Sequence, residues 1–378
     1  MKAKTSFSLK DQLFNPEKVE YLGGLITQAF PEFDQPTFHT AVVEAFPNLE
    51  LKERITHITQ CLHSHLPKDY SQALTILLQA LPPELDPHKT DDDFGDFIFA
   101  PLSLFVALYG CKKDYLDSSL AALKEITKRF SAEDAIRYFI NTFPEETFNF
   151  LTACAHDENY HVRRLATEGT RPKLSWSQKL TSDYKKPLPL LNALYADPTR
   201  YVTRSVANHI NDISKVDASL VIETLQRWQN SQQQTEREML FIINHALRTL
   251  IKKGHPEALE LLGFSTQPDI SITQFATTTS QVKIGEAFQF SLKVCSHKSQ
   301  RLVIDYRMIF ASDNRKPPQK VFKIKQLDLS VDEEVLLTKN HPMRLMTTRR
   351  LQLGEHKIVL LINGQEMGSL TFDLITAD

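Results

Sequence analysis

Two stretches of this chain, residues 161–172 and 201–212, carry the same residue pattern about forty residues apart. A period of this length is typical of α-solenoids, because one helix pair cannot bury its apolar face alone and must stack on a neighbouring copy. The recurrence therefore predicts stacked helix pairs. The aligned positions are Val162 with Val202, Arg164 with Arg204 and, upstream of each stretch, Asp157 with Asp197.

Helical periodicity extends this prediction over most of the chain. Apolar residues recur at spacings of three and four as far as about residue 262, which is the pattern of amphipathic helices. Ser131, followed by Glu133 and Asp134, predicts one more helix start with acids in its first turn. We therefore predict a helical domain over residues 1–264, with breaks expected at Pro31, Pro47, Pro67, Pro82, Pro83 and Pro144.

The pattern changes near Ser265. From Asp269 onward, β-branched and aromatic residues alternate with polar ones, and about seven short strands fit into the remaining residues. Asn363-Gly364 is a strong hairpin signal, because both turn positions tolerate positive φ. These features predict an immunoglobulin-like β-sandwich over residues 268–378, although its single cysteine, Cys295, excludes the inter-sheet disulfide of antibody domains.

The repeated stretches combine cations with carboxylates on one helix face. Arg164 and Glu168 are four residues apart, and Arg204, Asn208 and Asp212 are also spaced by four. If these faces line the concave side of a solenoid, they suit a polyanion that is also a substrate. From charge alone, a solvated helix face explains the same pattern equally well.

Bulk composition sets broad limits. The formal net charge is −2, so any anion-binding surface must be local, such as the basic stretch from His161 to Lys215. No apolar stretch approaches the length of a membrane span, and the N-terminus lacks a signal-peptide core, so we expect a cytoplasmic protein.

No sequence motif predicts a metal or a cofactor. The cysteines are scattered without CxxC spacing and are expected to be reduced thiols. The run Asp91-Asp92-Asp93 lacks the glycine and the final glutamate of a calcium loop, so a solvated loop is the better interpretation.

The strings "HVRRLATEGTRPKLSW" (161–176) and "DPTRYVTRSVANHINDISK" (197–215) resemble the AlkC group of HEAT-like-repeat DNA glycosylases, which repair alkylated bases. "SAEDAIRYFI" (131–140) is a third, shorter match. The resemblance covers roughly residues 10 to 262 and implies an N-terminal α-solenoid of HEAT-like repeats. Some members of the group carry a C-terminal immunoglobulin-like domain, to which the tail of this chain is similar in character.

The resemblance also implies an activity. Members of this group hydrolyse the N-glycosidic bond of 3-methyladenine and 3-methylcytosine in double-stranded DNA, without full base flipping. Carried onto this sequence, their catalytic acids match Asp212, Glu168 and Glu133. No lysine is placed for Schiff-base chemistry, so we predict a monofunctional glycosylase. We also expect a monomer. The candidate DNA contacts are Arg163, Arg164, Arg171, Lys173, Trp176, Arg200, Arg204 and Asn208.

Several alternatives stay open at the level of sequence. Glu168 has a structural interpretation as the partner of Arg164, which would make that arginine a clamp. Asp212 has one as a helix cap or as an inter-repeat hydrogen bond. Trp176 suits a packed core as well as a DNA contact. A non-catalytic helical-repeat binding or scaffold protein is the second functional candidate, since fold does not fix function. Glycoside hydrolysis by paired carboxylates is less favoured, because the surrounding cations suit phosphates better than neutral sugars.

The strand region adds a further alternative. Its basic residues fit a second clamp on DNA, but a solvated strand edge explains them almost as well. They are Arg315, Lys316, Lys320, Lys323, Lys325, Arg349 and Arg350.

Overall fold

The computed structural model describes residues 8–91, 93–344 and 351–376. Asp92, Arg349 and Arg350 lie outside these ranges. Helices fill the described chain as far as residue 261, and strands follow from residue 270. The helices are α1 (Leu9–Leu13), α2 (Pro16–Ala29), α3 (Gln35–Ala45), α4 (Leu51–His65), α5 (Tyr70–Gln79), α6 (Ala100–Gly110), α7 (Leu116–Thr127), α8 (Ile136–Thr142), α9 (Pro144–Cys154), α10 (Tyr160–Glu168), α11 (Leu188–Leu194), α12 (Arg200–Ile213), α13 (Ala218–Ser231), α14 (Glu236–Lys252) and α15 (Pro256–Leu261).

Local sequence explains where many of these helices begin. Asn15 caps α2 by accepting the backbone N–H of Lys18 at 3.0 Å, and Pro16 takes the first helical position, where no N–H is needed. α4 begins with a reciprocal capping box between Glu50 and Glu53. Asn159 caps α10 through the N–H of His161 at 2.9 Å.

Two of the helices bury polar side chains to an unusual degree. α10 and α12 pack against each other, and almost every residue of both is buried, including Thr167, Glu168, Thr203 and His209. Buried polar groups are costly unless they are hydrogen-bonded. The contact between α10 and α12 therefore contains an unusual number of buried polar side chains that need hydrogen-bond partners. None of the helices in the described part of the chain is long and apolar enough to cross a bilayer.

The strands form two sheets. A three-stranded sheet has the order β1-β3-β6 and a five-stranded sheet the order β2-β8-β7-β4-β5. Phe288 and Phe290 of one sheet pack with Tyr306, Met308 and Ile358 of the other in a shared core. The strands are β1 (Ile270–Thr277), β2 (Gln281–Lys283), β3 (Ala287–Ser296), β4 (Gln300–Ile309), β5 (Gln319–Leu329), β6 (Glu334–Pro342), β7 (Gly354–Ile362) and β8 (Gln365–Ile375).

The predicted fold class, helical repeats followed by an immunoglobulin-like sandwich, is confirmed. The predicted hairpin at Asn363-Gly364 also forms, since both residues have positive φ (46° and 80°) and they join β7 to β8. Its turn lies against another glycine, because a Cβ on Gly364 would lie 2.3 Å from the Cα of Gly254. Only glycine permits this close approach of two backbones.

Packing divides the chain into two compact units. One comprises Met1–Ile213 and Trp228–His245, and the other comprises Ser214–Arg227 and Ala246–Asp378. Within the second unit, the Arg301 guanidinium donates to the carbonyl of Leu262 at 2.6 Å, and the Asn363 amide donates to the carbonyl of Ser265 at 2.8 Å. The last helical residues thus pack with the strands. The division into domains at residues 1–264 and 268–378 stays a prediction.

Candidate active site

Five charged side chains form a continuous network in the helical unit, which we call the acid–arginine cluster: Glu133, Arg164, Glu168, Arg171 and Asp212. Arg164 donates to Glu133 at 2.8 Å and lies 3.7 Å from Glu168. Arg171 donates to Glu168 at 2.6 Å and to Asp212 at 2.9 Å. Each arginine is therefore shared by two carboxylates. The three acids predicted as catalytic from the sequence are brought together.

Helix packing positions this network. Arg164 and Glu168 lie one turn apart on α10, and Asp212 comes from the neighbouring α12. The Ser205 hydroxyl of α12 donates to Glu168 at 2.6 Å and accepts from the Thr167 hydroxyl at 2.7 Å. These bonds fix the register of the two helices, so the acids are held rather than free to rotate.

Burial and charge set the protonation of the cluster. The Glu168 side chain is 5% exposed and that of Asp212 is 3% exposed. Burial acts to raise the pKa of Glu168, but Arg164, Arg171 and the Ser205 hydroxyl together hold that pKa below its usual value of 4.5. Burial likewise acts to lower the pKa of Arg164, and the neighbouring Glu133 and Glu168 raise it instead. Glu168 is therefore an ionised carboxylate at neutral pH.

An aromatic ring supports Arg164 from its other side. The guanidinium carbon lies 4.3 Å from the ring centre of Tyr201, a cation–π contact in a buried environment. The Tyr201 ring meets Phe94 edge-on at 5.7 Å, and its backbone N–H donates to the carbonyl of Thr90 at 2.9 Å. The segment that joins α5 to the 3₁₀ turn at Phe97–Phe99 thus lies beside the cluster.

Glu133 differs from the other two acids in its access to open space. Its side chain is 27% exposed and borders a cavity of about 270 Å³. Trp176, which is 53% exposed, lies on the same cavity. The remaining walls are mostly apolar and include Phe94, Phe97 and Phe130. Of the five residues of the cluster, Glu133 is the one that lines this cavity.

The other predicted DNA contacts have partners of their own. Arg163 donates to Asp197 at 2.5 Å and to the carbonyls of Asp157 and Glu158, which ties two successive repeats together. Arg200 donates to Glu238 at 2.8 Å, and its guanidinium carbon lies 3.7 Å from the ring centre of Phe241. Lys173 differs from these arginines in that it is exposed. Arg204 is paired with Asp91, and Asn208 is bonded to His245 at 2.8 Å.

Sequence reasoning missed two residues that shape the site, Tyr201 and Arg137. Arg137 is 1% exposed and donates to the carbonyls of Gly169, Arg171 and Gln178 at 2.7–3.0 Å. It thereby holds the segment that carries Arg171, Lys173 and Trp176. Tyr201 and Arg137 both lie within the strings that resemble known relatives, but residue spacing predicted no role for either. Among the described residues, no group of three or more His, Cys, Asp or Glu is arranged to hold a metal ion.

Comparisons with known proteins agree with this architecture. Residues 271–376 match a family model described as "Uncharacterised protein YhaZ, C-terminal Ig-like domain". The protein YhaZ of Bacillus subtilis (strain 168) is 33% identical over 367 residues, which cover 96% of this chain and 98% of that protein. The solved structure of Pseudomonas fluorescens alkylpurine DNA glycosylase AlkC, bound to DNA containing an abasic site analog, is similar with a TM-score of 0.87. Its sequence is 32% identical, and the match covers 98% of this chain and 100% of that one.

Proposed function

This chain belongs to the AlkC-type family of DNA alkylation-repair glycosylases with HEAT-like repeats and a C-terminal immunoglobulin-like domain, and we propose that it is itself such a DNA glycosylase. We further propose that it excises the cationic bases 3-methyladenine and 3-methylcytosine from double-stranded DNA and so initiates base excision repair. It would act in the cytoplasm as a monomer, without a cofactor, and as a monofunctional hydrolase.

The acid–arginine cluster carries this proposal. Three carboxylates against two guanidiniums leave one negative charge in excess, and the excess stays at one when the nearby Asp134 and Arg137 are counted. Breaking the glycosidic bond of a cationic base sends the bonding electrons to the base, which leaves neutral, and makes the sugar an oxocarbenium ion. A fixed negative environment stabilises that developing charge more than it stabilises the ground state.

We assign the three acids different parts in this reaction. Glu133 borders the cavity, so it is the carboxylate that meets the sugar and accepts a proton from the attacking water. Glu168 and Asp212 are nearly closed to solvent and hold the charge and orientation of the cluster through Arg171. Because both side chains are almost closed to solvent, we propose that the base does not enter between them. This supports recognition at the edge of the cluster rather than full base flipping.

DNA binding would involve the cavity rim and the flanking cations. Trp176 is exposed beside Glu133 and is suited to press on a sugar or a base near the lesion. Lys173, Arg200 and Arg204 are the proposed phosphate contacts, and the last two would exchange a carboxylate partner for a phosphate. Arg163 and Asn208 would support the binding surface, while Arg164 and Arg171 act as clamps on the acids.

A base-release assay on a methylated duplex tests the proposal. We expect the purified protein to release free 3-methyladenine, and we expect Glu168→Gln and Asp212→Asn to lower the rate about a hundredfold or more. Glu125→Gln is the control for loss of an ion-paired carboxylate outside the cluster, at a side chain that is 42% exposed. Circular dichroism of each variant checks that the fold survives removal of a buried charge.

Two results would contradict the assignment in different ways. Unchanged base release in both Glu168→Gln and Asp212→Asn would remove these residues from catalysis. Binding to methylated DNA without release of any base, at every salt concentration tested, would favour the non-catalytic binding module instead.

A further inference from the structure

The sandwich has a cleft along one open side. β5 ends the five-stranded sheet and β6 ends the three-stranded sheet, and residues of both strands line a cavity of about 460 Å³. Its described lining residues all belong to the strand region. The proposed glycosylase chemistry gives this cleft no role.

Cations point toward the core side of both edge strands. In register, Lys320 pairs with Met308 and Lys339 with Phe290, and both partners are buried in the sandwich core. The two lysines therefore share the inward face. Lys323 and Arg344 also line the cleft, so its described lining has four cationic side chains and no Asp or Glu. One inward lysine suffices to discourage edge-to-edge pairing, but several cations without a carboxylate favour an anion.

Aromatic rings form the floor between these cations. Phe322 stacks with Tyr306 at 5.3 Å and meets His341 edge-on at 4.7 Å, while the Lys320 ammonium lies 5.3 Å from the centre of the Phe322 ring. A 2.7 Å hydrogen bond between the Tyr306 hydroxyl and Nδ1 of His341 holds the floor rigid. A flat ring that carries a phosphate matches both the aromatic floor and the cationic rim.

We propose that this cleft binds an unpaired nucleotide of a DNA strand, with the base against Phe322 and its phosphate on Lys320 and Lys339. This inference rests on the proposed function in one respect, because a DNA glycosylase meets DNA rather than another nucleic acid. A fully paired duplex hides its bases, so the cleft would select strands that are locally open. It therefore adds a preference for single-stranded or distorted DNA to the activity of the helical unit.

Fluorescence anisotropy with a labelled single-stranded oligonucleotide of twelve deoxyadenosines tests the proposal on the full chain. We expect the double variant Lys320→Glu/Lys339→Glu to weaken binding at least tenfold more than Lys298→Glu/Lys357→Glu. The control changes the net charge equally but uses exposed lysines outside the cleft. Phe322→Leu keeps an apolar side chain without a ring, and we expect it to weaken binding several-fold with little change in salt dependence.

Equal losses in the two lysine double variants would overturn the proposal, since binding would then follow net charge alone. Saturation of the cleft by free deoxyadenosine monophosphate without competition from the oligonucleotide would also overturn it, in favour of a small-nucleotide site. Base release is measured separately on a paired methylated duplex. A protein that releases no base but shows the cleft-dependent binding would refute the proposed function and leave this inference intact.

Discussion

Both guanidiniums of the acid–arginine cluster are shared between two carboxylates, so no residue in it has an independent charge. Removing Arg171 would leave Glu168 and Asp212 without their common donor in a site that is almost dry. Loss of one partner from such a buried pair costs about 3–5 kcal/mol, more than an exposed ion pair contributes. Conservative changes of the acids are therefore better probes of function than changes of the arginines.

Tyr201 offers a probe that leaves all five charges in place. Tyr201→Phe keeps the ring under Arg164 and removes a buried hydroxyl that has no hydrogen-bond partner among the described residues. We expect near wild-type single-turnover rates for it, and a loss of about tenfold for Tyr201→Leu, which removes the cation–π support. The DNA dissociation constant should change little in either variant. Equal damage by Phe and Leu would assign the role to the hydroxyl instead.

Two buried histidines predict how stability responds to acid. Burial lowers the pKa of His161 and of His209 to about 4, whereas the unfolded value is 6.5. Below pH 6.5 the unfolded chain binds protons at these histidines that the folded chain does not bind, so neither histidine destabilises the fold above that pH. The free energy of unfolding should fall as the pH drops toward 4, by up to about 1.4 kcal/mol per pH unit for each histidine.

Chemical denaturation between pH 4.5 and 7.5 measures this slope. His209→Asn retains a donor for the carbonyl of Thr167, to which Nδ1 of His209 donates at 3.0 Å, and should make the slope shallower. His88→Asn, at an exposed position, is the control and should leave it unchanged. An unaltered slope in His209→Asn would contradict the expectation.

Sequence patterns located the acids but not all their partners. The four-residue spacing placed Arg204, Asn208 and Asp212 on one stripe, yet Arg204 pairs with Asp91, Asn208 with His245, and Asp212 with Arg171. These partners come from other elements, and Asp91 is 113 residues from Arg204 in sequence. Spacing along one helix carries no information about such contacts, because tertiary packing decides them.

At the scale of elements, the segment joining α5 to the 3₁₀ turn at Phe97–Phe99 is the least expected part of the fold. Its acidic run predicts a solvated loop, but Thr90, Asp91 and Phe94 all contact α12. Gly95 then forms a β-bridge with Phe130. The polar composition of this segment predicts exposure to solvent. Its backbone hydrogen bonds and the ring of Phe94 nevertheless hold it beside the cluster.

Gly95 is the position at which this docking can be tested. Its φ is +77°, and an added Cβ would lie 1.8 Å from the carbonyl oxygen of Arg129. We expect Gly95→Ala to destabilise the protein by more than about 2 kcal/mol and to slow base release, because Phe94 and Tyr201 would shift. Thermal unfolding and single-turnover rates measure the two effects.

Gly24→Ala provides the comparison. Gly24 lies within α2 with nothing near its missing Cβ, so alanine there should stabilise the protein by about 0.5–1 kcal/mol. Normal stability of Gly95→Ala would mean that the segment is not tied to the backbone of residues 129–130.

At the scale of the whole molecule, secondary structure and packing divide the chain at different places. Composition changes near Ser265, and the helices do give way to strands between residues 261 and 270. Residues 214–227 and 246–261, however, share a compact unit with the strands. Periodicity predicts the type of an element, but it does not say which neighbour buries its apolar face.

A chain cut after residue 264 would test whether the last helices depend on the strands. We expect the backbone amides of residues 246–261 to lose hydrogen-exchange protection in this fragment, because the contacts of Leu262 with Arg301 and of Gly254 with Gly364 are removed. Residues 100–213 should stay protected and serve as the internal reference. Full protection of residues 246–261 would show that the helical part folds on its own.

The shared arginines of the cluster have one more consequence, for the time spent on undamaged DNA. A repair enzyme that scans a genome meets a chemically identical phosphate at every step. A guanidinium without a carboxylate partner in the site would bind each of these phosphates. Arg164 and Arg171 are already engaged, so an ordinary backbone gains little by approaching them. We expect residence to lengthen where a base already carries a positive charge, because the excess carboxylate of the cluster attracts it, which makes the ion pairs of the cluster a filter against futile stops.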